Sequence, residues 1–248
     1  MSVSKFATPG KKKYDPLSGI RWPTFWSYSR WNVFNKCRLR YMYQYLLKLP
    51  QPESAPMIRG QEIHTKGEAY LDGDIKNVPA SYRMFADEMR AIRKLGATSE
   101  GSFNFTKSWA PTEWDNWRLC WLRIKIDALV RQVIESTIID FKTGRPYPDT
   151  KVQSEIYAVG EFQTAPKIET IDAEFWYLDS GEVVDYHYDR SEFKDLKRKW
   201  AGRGREMLAA RQFPPTKKAY DCKYCPFRDD KKLATGDAGP CSEWKKAK

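Results

Sequence analysis

The segment 136–142, with the sequence STIIDFK, constrains the fold more than any other feature of the chain. β-Branched and aromatic residues favour a strand, yet this run ends in an acid, one spacer and a lysine. Because side chains alternate along a strand, Asp140 and Lys142 lie on one face and Phe141 lies on the other. The dipeptide TG that follows predicts a turn. A buried strand does not need these two charges, so the segment predicts a strand that places them at a particular site.

The elements predicted around this strand indicate a mixed α/β fold. Apolar residues at helical spacing predict the helices, and alternating β-branched and aromatic residues predict the strands. The helices are predicted at 25–50, 59–73, 81–96, 151–162 and 191–213, and the strands at 102–109, 117–132, 136–142, 171–181 and 182–189. Helices that precede a sheet with a crossover helix predict a mixed α/β core together with a helical lobe.

The charge balance favours a polyanionic partner. The 248 residues include 43 Lys and Arg against 32 Asp and Glu, a formal net charge of +11. Phosphates that such residues neutralise release condensed counterions, which favours nucleic-acid binding. Aromatic residues make up 15% of the chain and are interspersed among charged residues, as base stacking requires. The alternatives are a basic protein without such a partner and aromatic residues that serve only in packing.

The sequence predicts an intracellular protein without a membrane span. It contains no uncharged apolar run of about 18 residues or more, the length that a membrane helix needs. Residues 1–17 are basic and lack the apolar stretch of a secretory signal. We expect this segment to be a short flexible arm, with an organelle transit peptide as the alternative.

A second acid can complete a cation site beside Asp140. Asp127 lies in the predicted strand 117–132, and a neighbouring strand can bring both carboxylates to one divalent cation. Mg²⁺ and Mn²⁺ prefer oxygen ligands. A lysine beside such a cation can orient or deprotonate a bound water and stabilise the charge that develops during phosphodiester hydrolysis. The alternative is an exposed strand end at which Asp140 and Lys142 form a salt bridge.

Three further polar residues are candidates with ordinary alternatives. Gln153 and Tyr157 are four residues apart and therefore share one helix face. However, Thr150 and Gln153 also fit a capping box, and Tyr157 can simply pack against the sheet. His64 lies in the predicted helix 59–73, where a lone histidine is more often a packed residue than a metal ligand.

Four of the five cysteines have spacing typical of a metal site. Cys222, Cys225 and Cys241 form the pattern C-x2-C-x15-C, and Cys37 can supply a fourth thiolate. Four thiolates suit structural zinc or an iron–sulfur cluster, and the spacing does not distinguish the two. Reduced free thiols are the alternative. Cys120 lies in a strand-like run, so we expect it to be buried.

The order of these segments resembles a known family. The segments are SYSRWNVFNKC, the G-x-x-x-H at 60–64, IKIDALV, IIDFKTG and QSEIY. Together they resemble the RecB-like branch of the PD-(D/E)XK nuclease superfamily, including CRISPR-associated RecB-like exonucleases, AddB-type nuclease domains and their phage-encoded relatives. The resemblance extends from about residue 26 to residue 241. One difference is Ile124, which stands where the family usually has a glycine shortly before the first acid.

The resemblance implies a fold and an active site. The fold would be a restriction-endonuclease-like mixed sheet flanked by helices, with an N-terminal helical lobe and a C-terminal cysteine-ligated region. Lys142 would be the catalytic lysine, and Gln153 and Tyr157 would position the lysine, the water or the DNA backbone. The catalytic Mg²⁺ or Mn²⁺ would be bound by His64, Asp127, Asp140 and the backbone carbonyl of Phe141.

The resemblance also implies a structural 4Fe–4S cluster, in preference to zinc, that joins the two ends of the chain. Its ligands would be Cys37, Cys222, Cys225 and Cys241, although the gap before Cys241 is longer than in these relatives. The expected domains are a flexible basic arm at 1–20, a nuclease domain at 21–215 and a cluster segment at 216–248 closed by Cys37. The nuclease domain would comprise a helical lobe at about 21–98, the catalytic sheet at about 99–190 and a basic helix at about 191–212.

The implied function is metal-dependent exonuclease activity on DNA ends or single strands. Recombination, phage replication, CRISPR adaptation and degradation of host DNA are the processes in which such relatives act. A homo-oligomer, or assembly with recombination or CRISPR proteins, is consistent with them, as is a cytoplasmic location, including the host cytoplasm for a phage-encoded protein. The alternatives are a non-catalytic DNA-binding subunit with a vestigial nuclease motif, a zinc-stapled version of the same nuclease and a zinc-bound structural partner protein.

Overall fold

The computed structural model describes residues 17–146 and 149–247. The chain forms two compact units, one made of Met1–Ser54 and Gly204–Lys248 and the other of Ala55–Arg203. The predicted helical lobe, residues 21–98, is therefore divided between the two units. Most of the predicted basic arm, residues 1–16, lies outside the described residues.

The described residues combine strands and helices in the manner of a mixed α/β protein, which confirms the predicted fold class. The strands are β1 (Trp26–Ser27), β2 (Thr98–Ser99), β3 (Ser102–Phe105), β4 (Leu122–Lys125), β5 (Ala128–Arg131), β6 (Glu135–Lys142), β7 (Thr170–Tyr177) and β8 (Glu182–Asp189). The α-helices are α1 (Tyr28–Lys36), α2 (Arg38–Tyr41), α3 (Ala55–Asp72), α4 (Ala86–Lys94), α5 (Thr150–Thr164), α6 (Phe193–Ala209) and α7 (Ala219–Lys223). None of the helices in these described ranges is long and apolar enough to cross a membrane.

The second unit, Ala55–Arg203, is built on a mixed sheet of five strands in the order β2-β5-β6-β7-β8. β6 and β7 are parallel, with Glu135 opposite Thr170 and Lys142 opposite Tyr177. The other neighbouring strands are antiparallel. Parallel neighbours need a crossover connection, and α5 provides it. The antiparallel strands β3 and β4 belong to a second, smaller sheet.

The prediction of a single strand at 117–132 is wrong. β4 and β5 lie in different sheets, with Ile126 and Asp127 between them. The predicted apolar face is buried along both strands, but Arg123 on the other face is also only 5% exposed. The chain leaves the smaller sheet after β4 and enters the larger sheet at β5. This change of sheet places Asp127 immediately before a core strand.

Strand β6 lies in the core of the second unit. Ile139 and Phe141 are almost fully buried and form one hydrophobic cluster with apolar residues of α3, α4 and β7. Complete burial of an apolar side chain of this size contributes about 1.5–3 kcal/mol. One face of β6 is therefore fixed against α3 and α4. Asp140 and Lys142 project from the opposite face, as the alternation predicts.

In the first unit, the helix predicted at 25–50 is interrupted at Cys37. The backbone of Cys37 is extended, with φ −156° and ψ 109°, so α1 ends there and α2 begins. Its Sγ accepts a hydrogen bond from the Arg40 backbone N–H at 3.4 Å. The backbone N–H of Thr216 also donates to this sulfur at 3.4 Å. The interruption therefore directs the Cys37 side chain towards the C-terminal segment.

Candidate active site and cysteine pocket

Two carboxylates meet at the end of β6. Ala128 pairs with Ile139, and the same register continued by one residue places Asp127 opposite Asp140. Directly opposed residues of an antiparallel pair project from the same face of the sheet. Asp140 is buried, and the Asp127 side chain is 18% exposed. Two like charges this close repel each other unless a cation or a proton lies between them.

His64 contacts Asp127 from α3. Its Nδ1 lies 2.9 Å from Asp127 Oδ1, and Asp127 Oδ2 accepts a hydrogen bond from the Phe141 backbone N–H at 2.7 Å. Gly67, which has no Cβ atom, lets α3 lie directly against the ring of Tyr82 and close to Phe141 of β6. His64, on a helix that is remote in sequence from both acids, thereby reaches Asp127.

Burial and charge shift the pKa values of this pair. Burial raises the pKa of Asp127, and the charge of Asp140 raises it further, whereas the hydrogen bonds from His64 and Phe141 lower it. Burial lowers the pKa of His64, but the hydrogen bond and the charge of Asp127 outweigh this effect and raise the pKa above its ordinary value. The raised pKa favours the protonated form of His64, and a metal ion competes with that proton because only neutral imidazole is a ligand.

Three side chains contact Asp140 from its other side. Lys142 Nζ lies 2.5 Å from Asp140 Oδ2, and Oδ1 accepts hydrogen bonds from the Tyr157 hydroxyl at 2.5 Å and from Gln153 Nε2 at 3.2 Å. Gln153 Oε1 accepts a further hydrogen bond from Lys142 Nζ at 3.2 Å. Burial and the charge of Asp140 raise the pKa of Tyr157 well above its ordinary value, so its hydroxyl stays protonated and can donate. The four side chains form one connected network.

The capping-box explanation of Gln153 is wrong. Helix α5 has Asp149 at its N-cap, without a side-chain cap hydrogen bond, and the Gln153 side chain belongs to the network around Asp140. Thr150 Oγ1 pairs with the Tyr186 hydroxyl at 3.0 Å. The first turns of α5 therefore direct Gln153 to the end of β6.

The residues at this site fit a hard divalent cation. Among the residues that the structure describes, no three or more His, Cys, Asp or Glu side chains form a group that could hold a metal ion. Asp140 Oδ2 is nevertheless buried without a hydrogen bond, and its contact is the ion pair with Lys142. This buried oxygen already has a cationic partner, and a metal ion would supply the same kind of partner. Together with Asp127, it offers the carboxylate oxygens that Mg²⁺ or Mn²⁺ prefers.

In the first unit, the four predicted cysteine ligands line one pocket. Cys37, Cys222, Cys225 and Cys241 border one pocket that opens to solvent. Burial raises the pKa of the Cys222 thiol, and the neighbouring Cys37 and Cys225 raise it further. Burial likewise raises the pKa of Cys241, with Cys225 and Cys37 adding to the effect. The thiols are therefore close enough to influence one another's ionisation, and a cationic centre would reverse that effect. Cys120 belongs to the second unit and is 2% exposed, as predicted.

The sequence patterns did not single out an ion pair beside the turn that follows β6. Arg59 of α3 pairs with Asp179, which follows β7, and Asp179 Oδ2 accepts a hydrogen bond from the Gly144 backbone N–H at 2.8 Å. Asp179 falls within the predicted strand 171–181, although β7 ends at Tyr177, and Arg59 belongs to no motif. Only the tertiary structure brings these residues together.

Solved structures and a protein-family model match the chain. A crystal structure from Eubacterium rectale, named "Putative exonuclease", is 12% identical with a TM-score of 0.46, over 78% of this chain and 85% of that chain. The structure of the protein SSO0001 is 15% identical with a TM-score of 0.37, over 85% of this chain and 87% of that chain. No curated protein matches the chain. The family model of the PD-(D/E)XK nuclease superfamily matches residues 25–229, which is most of the sequence. The protein therefore belongs to the PD-(D/E)XK nuclease superfamily.

Proposed function

We propose that the protein is a metal-dependent DNA exonuclease of the RecB-like branch, which hydrolyses phosphodiester bonds at DNA ends or in single strands. The network around Asp140 supports this proposal most strongly. It combines a buried carboxylate and Lys142 with Gln153 and Tyr157 from a separate helix. A salt bridge at the end of a strand does not need two further polar side chains. Membership of a nuclease superfamily agrees with the same function.

In this proposal a divalent cation is bound by two opposed acids and their neighbours. It supplies charge neutralisation at the phosphate and lowers the pKa of a bound water. Asp127 and Asp140 suit this task because buried strands hold them in place before any ligand arrives. The proposed ligands are His64, Asp127, Asp140 and the backbone carbonyl of Phe141.

The other residues of the site would act on the water and the phosphate. Lys142 is the proposed catalytic lysine, whose Nζ orients or deprotonates the attacking water and whose charge stabilises the negative charge that develops on the phosphate. Gln153 keeps this ammonium group in place, because Lys142 Nζ donates a 3.2 Å hydrogen bond to Gln153 Oε1. Tyr157, which stays protonated, orients Asp140 by donating to Oδ1.

Cleavage of labelled DNA tests the proposal. We expect the wild type to degrade linear DNA with Mn²⁺ or Mg²⁺ and to be inactive in EDTA. Asp140→Ala and Lys142→Ala should abolish degradation and retain DNA binding, because the remaining Lys and Arg residues keep the chain strongly basic. The matched control is Arg90→Ala, which removes an exposed ion pair with Asp87 in α4 and should leave the rate unchanged. Full activity of either active-site variant would refute the assignment.

The substrate form is tested separately. A time course with linear, circular, 5′-labelled and 3′-labelled DNA in Mn²⁺ should show mononucleotide or short products from ends and an intact circle. Cleavage of the circle would instead assign endonuclease activity. A wild type that binds DNA without cleaving any of these substrates would favour a non-catalytic DNA-binding subunit.

We also propose that the four cysteines bind a structural 4Fe–4S cluster. Zinc would draw four sulfur atoms to within about 2.3 Å of one point. Here all four thiols border one pocket, which supports a common metal centre, and the resemblance favours a cluster over zinc for that centre. Backbone N–H groups also donate to the Cys37 sulfur, as they do to cluster thiolates. Protein purified without oxygen should be brown and contain iron and sulfide, and a colourless zinc protein would refute the cluster.

We also propose the domain organisation, location and partners of the protein. The proposed domains are a nuclease domain at 21–215 and a cluster segment at 216–248, and the proposed location is cytoplasmic. The net charge of +11 supports DNA as the partner. Mass measurement in solution, with and without a DNA end, would test for a homo-oligomer, and co-purification would test for recombination or CRISPR proteins.

A further inference from the structure

Asp179 lies beside the turn that follows the proposed catalytic lysine. β6 and β7 run in parallel, so their carboxyl ends lie at the same edge of the sheet, with Lys142 opposite Tyr177. The Leu178 backbone N–H donates to the Lys142 carbonyl at 2.9 Å and extends this pairing by one residue. Asp179 is the next residue, in the turn before β8.

The carboxylate of Asp179 binds two segments at once. Its Oδ2 accepts a hydrogen bond from the Gly144 backbone N–H at 2.8 Å and another from Arg59 Nη1 at 3.0 Å. Its Oδ1 accepts a hydrogen bond from Arg59 Nη2, so the guanidinium is bound in the bidentate manner. The Arg59 hydrogen bond, and then the Gly144 hydrogen bond, lower the pKa of Asp179 to about 2, so it is ionised at neutral pH.

Each partner of Asp179 lies close in sequence to a proposed active-site residue. Gly144 is two residues after Lys142 and has a φ of +87°, a backbone conformation that a side chain would strain. Arg59 is in α3, five residues before His64. Asp179 therefore joins the segment that bears the lysine to the helix that bears the histidine.

We propose that Asp179 is a positioning residue for the metal site, which holds the turn after Lys142 and the first turns of α3 at a fixed separation. This inference rests on the proposed nuclease function of the same site. Through Arg59 it places His64 against Asp127, and through Gly144 it fixes the backbone on which Lys142 is mounted. Indirect partners of metal ligands commonly alter metal affinity or activity by about 10- to 100-fold when they are mutated.

If Arg59 and Asp179 formed only an ordinary surface ion pair, replacing Asp179 would have a different effect. The Asp179 side chain is 37% exposed and that of Arg59 is 54% exposed. Exposed pairs of this kind contribute little to stability, because water screens them. If Asp179 only stabilised the fold, its replacement would have a small effect on Tm and no separate effect on metal binding.

The test compares Asp179→Asn with Arg59→Gln and with both changes together. Each should raise the Mn²⁺ concentration at half-maximal activity by about 10- to 100-fold, while DNA binding in EDTA and Tm change little. Because both residues act through one contact, the double variant should be no worse than the more impaired single variant. Raising Mn²⁺ should restore most of the Asp179→Asn rate. The control is Arg131→Gln, which removes the pair with buried Glu161 at the far end of β5 and should lower Tm without changing the Mn²⁺ requirement.

Two measurements do not depend on activity. Calorimetry should show weaker Mn²⁺ binding to Asp179→Asn in the absence of DNA, and hydrogen exchange at Gly144 should be faster in Asp179→Ala than in the wild type. Unchanged Mn²⁺ binding and unchanged exchange would overturn the positioning role, even if the nuclease is active. The wild type could instead be inactive on DNA and still bind Mn²⁺ more tightly than Asp179→Asn does. That result would refute the proposed function and leave the positioning role supported.

Discussion

Single hydrogen bonds orient the acid at the centre of the proposed active site. Tyr157 is buried, and its hydroxyl donates to Asp140 at 2.5 Å. Its ring stacks on Phe175, with centroids 6.3 Å apart and an interplanar angle of 17°. The packing of the ring and the hydrogen bond of the hydroxyl are thus separate contributions. Removing the hydroxyl oxygen of Tyr157 therefore tests the hydrogen bond without disturbing the packing of the ring.

We expect Tyr157→Phe to lower kcat or Mn²⁺ affinity by about 10- to 100-fold, because Asp140 loses a partner that fixes its carboxylate. The cost in stability should be about 1 kcal/mol, as for one buried hydrogen bond. Tyr188→Phe is the matched control. The buried hydroxyl of Tyr188 pairs at 2.6 Å with the Oγ of Ser154, which lies on α5 as Tyr157 does. Equal rates for both variants would show that the Tyr157 hydroxyl has no role in the site.

His64 gives the metal-free protein a pH-dependent stability. Its folded pKa lies above the ordinary value of 6.5. The pair with Asp127 therefore contributes its full stability below about pH 6.5 and loses it as the pH rises through the raised pKa. In EDTA, the Tm difference between the wild type and His64→Asn should shrink from about pH 6 to about pH 9. A constant difference would contradict the charged pair.

Metal should show the opposite pH dependence. The proton on His64 competes with a bound cation, so Mn²⁺ should raise the Tm of the wild type more at about pH 8 than at about pH 6. In His64→Asn this difference should be smaller. Thermal unfolding with and without Mn²⁺ measures both effects on the same samples.

At the scale of elements, the position of α3 decides whether His64 reaches the sheet. A Cβ atom at Gly67 would clash with Tyr82 Oη and would lie 2.7 Å from Tyr82 Cζ and 3.3 Å from Phe141 Cε2. Tyr82 is itself held by the hydrogen bond from its hydroxyl to the Ile63 carbonyl at 3.0 Å. A side chain at position 67 therefore cannot be accommodated without moving the helix or the ring.

We expect Gly67→Ala to destabilise the protein by about 1–3 kcal/mol, as overpacking of a core does. It should also raise the Mn²⁺ requirement, since His64 lies one turn away on the same helix. Gly202→Ala in α6 is the control, because a Cβ there meets nothing within 4 Å and alanine favours a helix. Chemical unfolding and a Mn²⁺ titration of both variants measure the effect. A Gly67→Ala protein as stable as the wild type would show that α3 has room to adjust.

At the scale of the whole molecule, the cysteine pocket joins segments that are far apart in sequence. Cys37 belongs to the N-terminal part of the first unit, whereas Cys222, Cys225 and Cys241 belong to its C-terminal part. The apolar support nearby is small and consists of Cys225, Phe227 and Leu233 with a few partly buried neighbours. A metal centre bound to all four thiolates would therefore supply much of the stability of this segment.

We expect Cys37→Ser to lower the iron content of protein purified without oxygen and to reduce its Tm. The reason is that the remaining three thiolates no longer attach the C-terminal segment to the N-terminal one. Cys120→Ala should keep the wild-type iron content, because Cys120 does not line the pocket. Iron analysis and thermal unfolding test this. Full iron loading of Cys37→Ser would exclude Cys37 as a ligand.

Local patterns predicted whole elements better than the breaks inside them. The predicted strand 182–189 coincides with β8, and the predicted helix 151–162 lies within α5. The single helix at 25–50 and the single strand at 117–132 were wrong. Their local periodicity continues through Cys37 and Asp127, but the regular element is broken at both places, and both side chains contact segments outside the predicted element. Tertiary contacts can outweigh propensity over a few residues, because each residue's own preference is small.

The sequence by itself determined which side chains share a face. Backbone geometry repeats every two residues in a strand and every 3.6 in a helix, so the spacing alone paired Asp140 with Lys142 and Gln153 with Tyr157. Only the tertiary structure decided that these two faces meet, that His64 lies against Asp127, and that Asp179 binds Arg59 and Gly144. Those contacts join residues up to 120 positions apart. They depend on how buried helices and strands pack together, which no local spacing specifies.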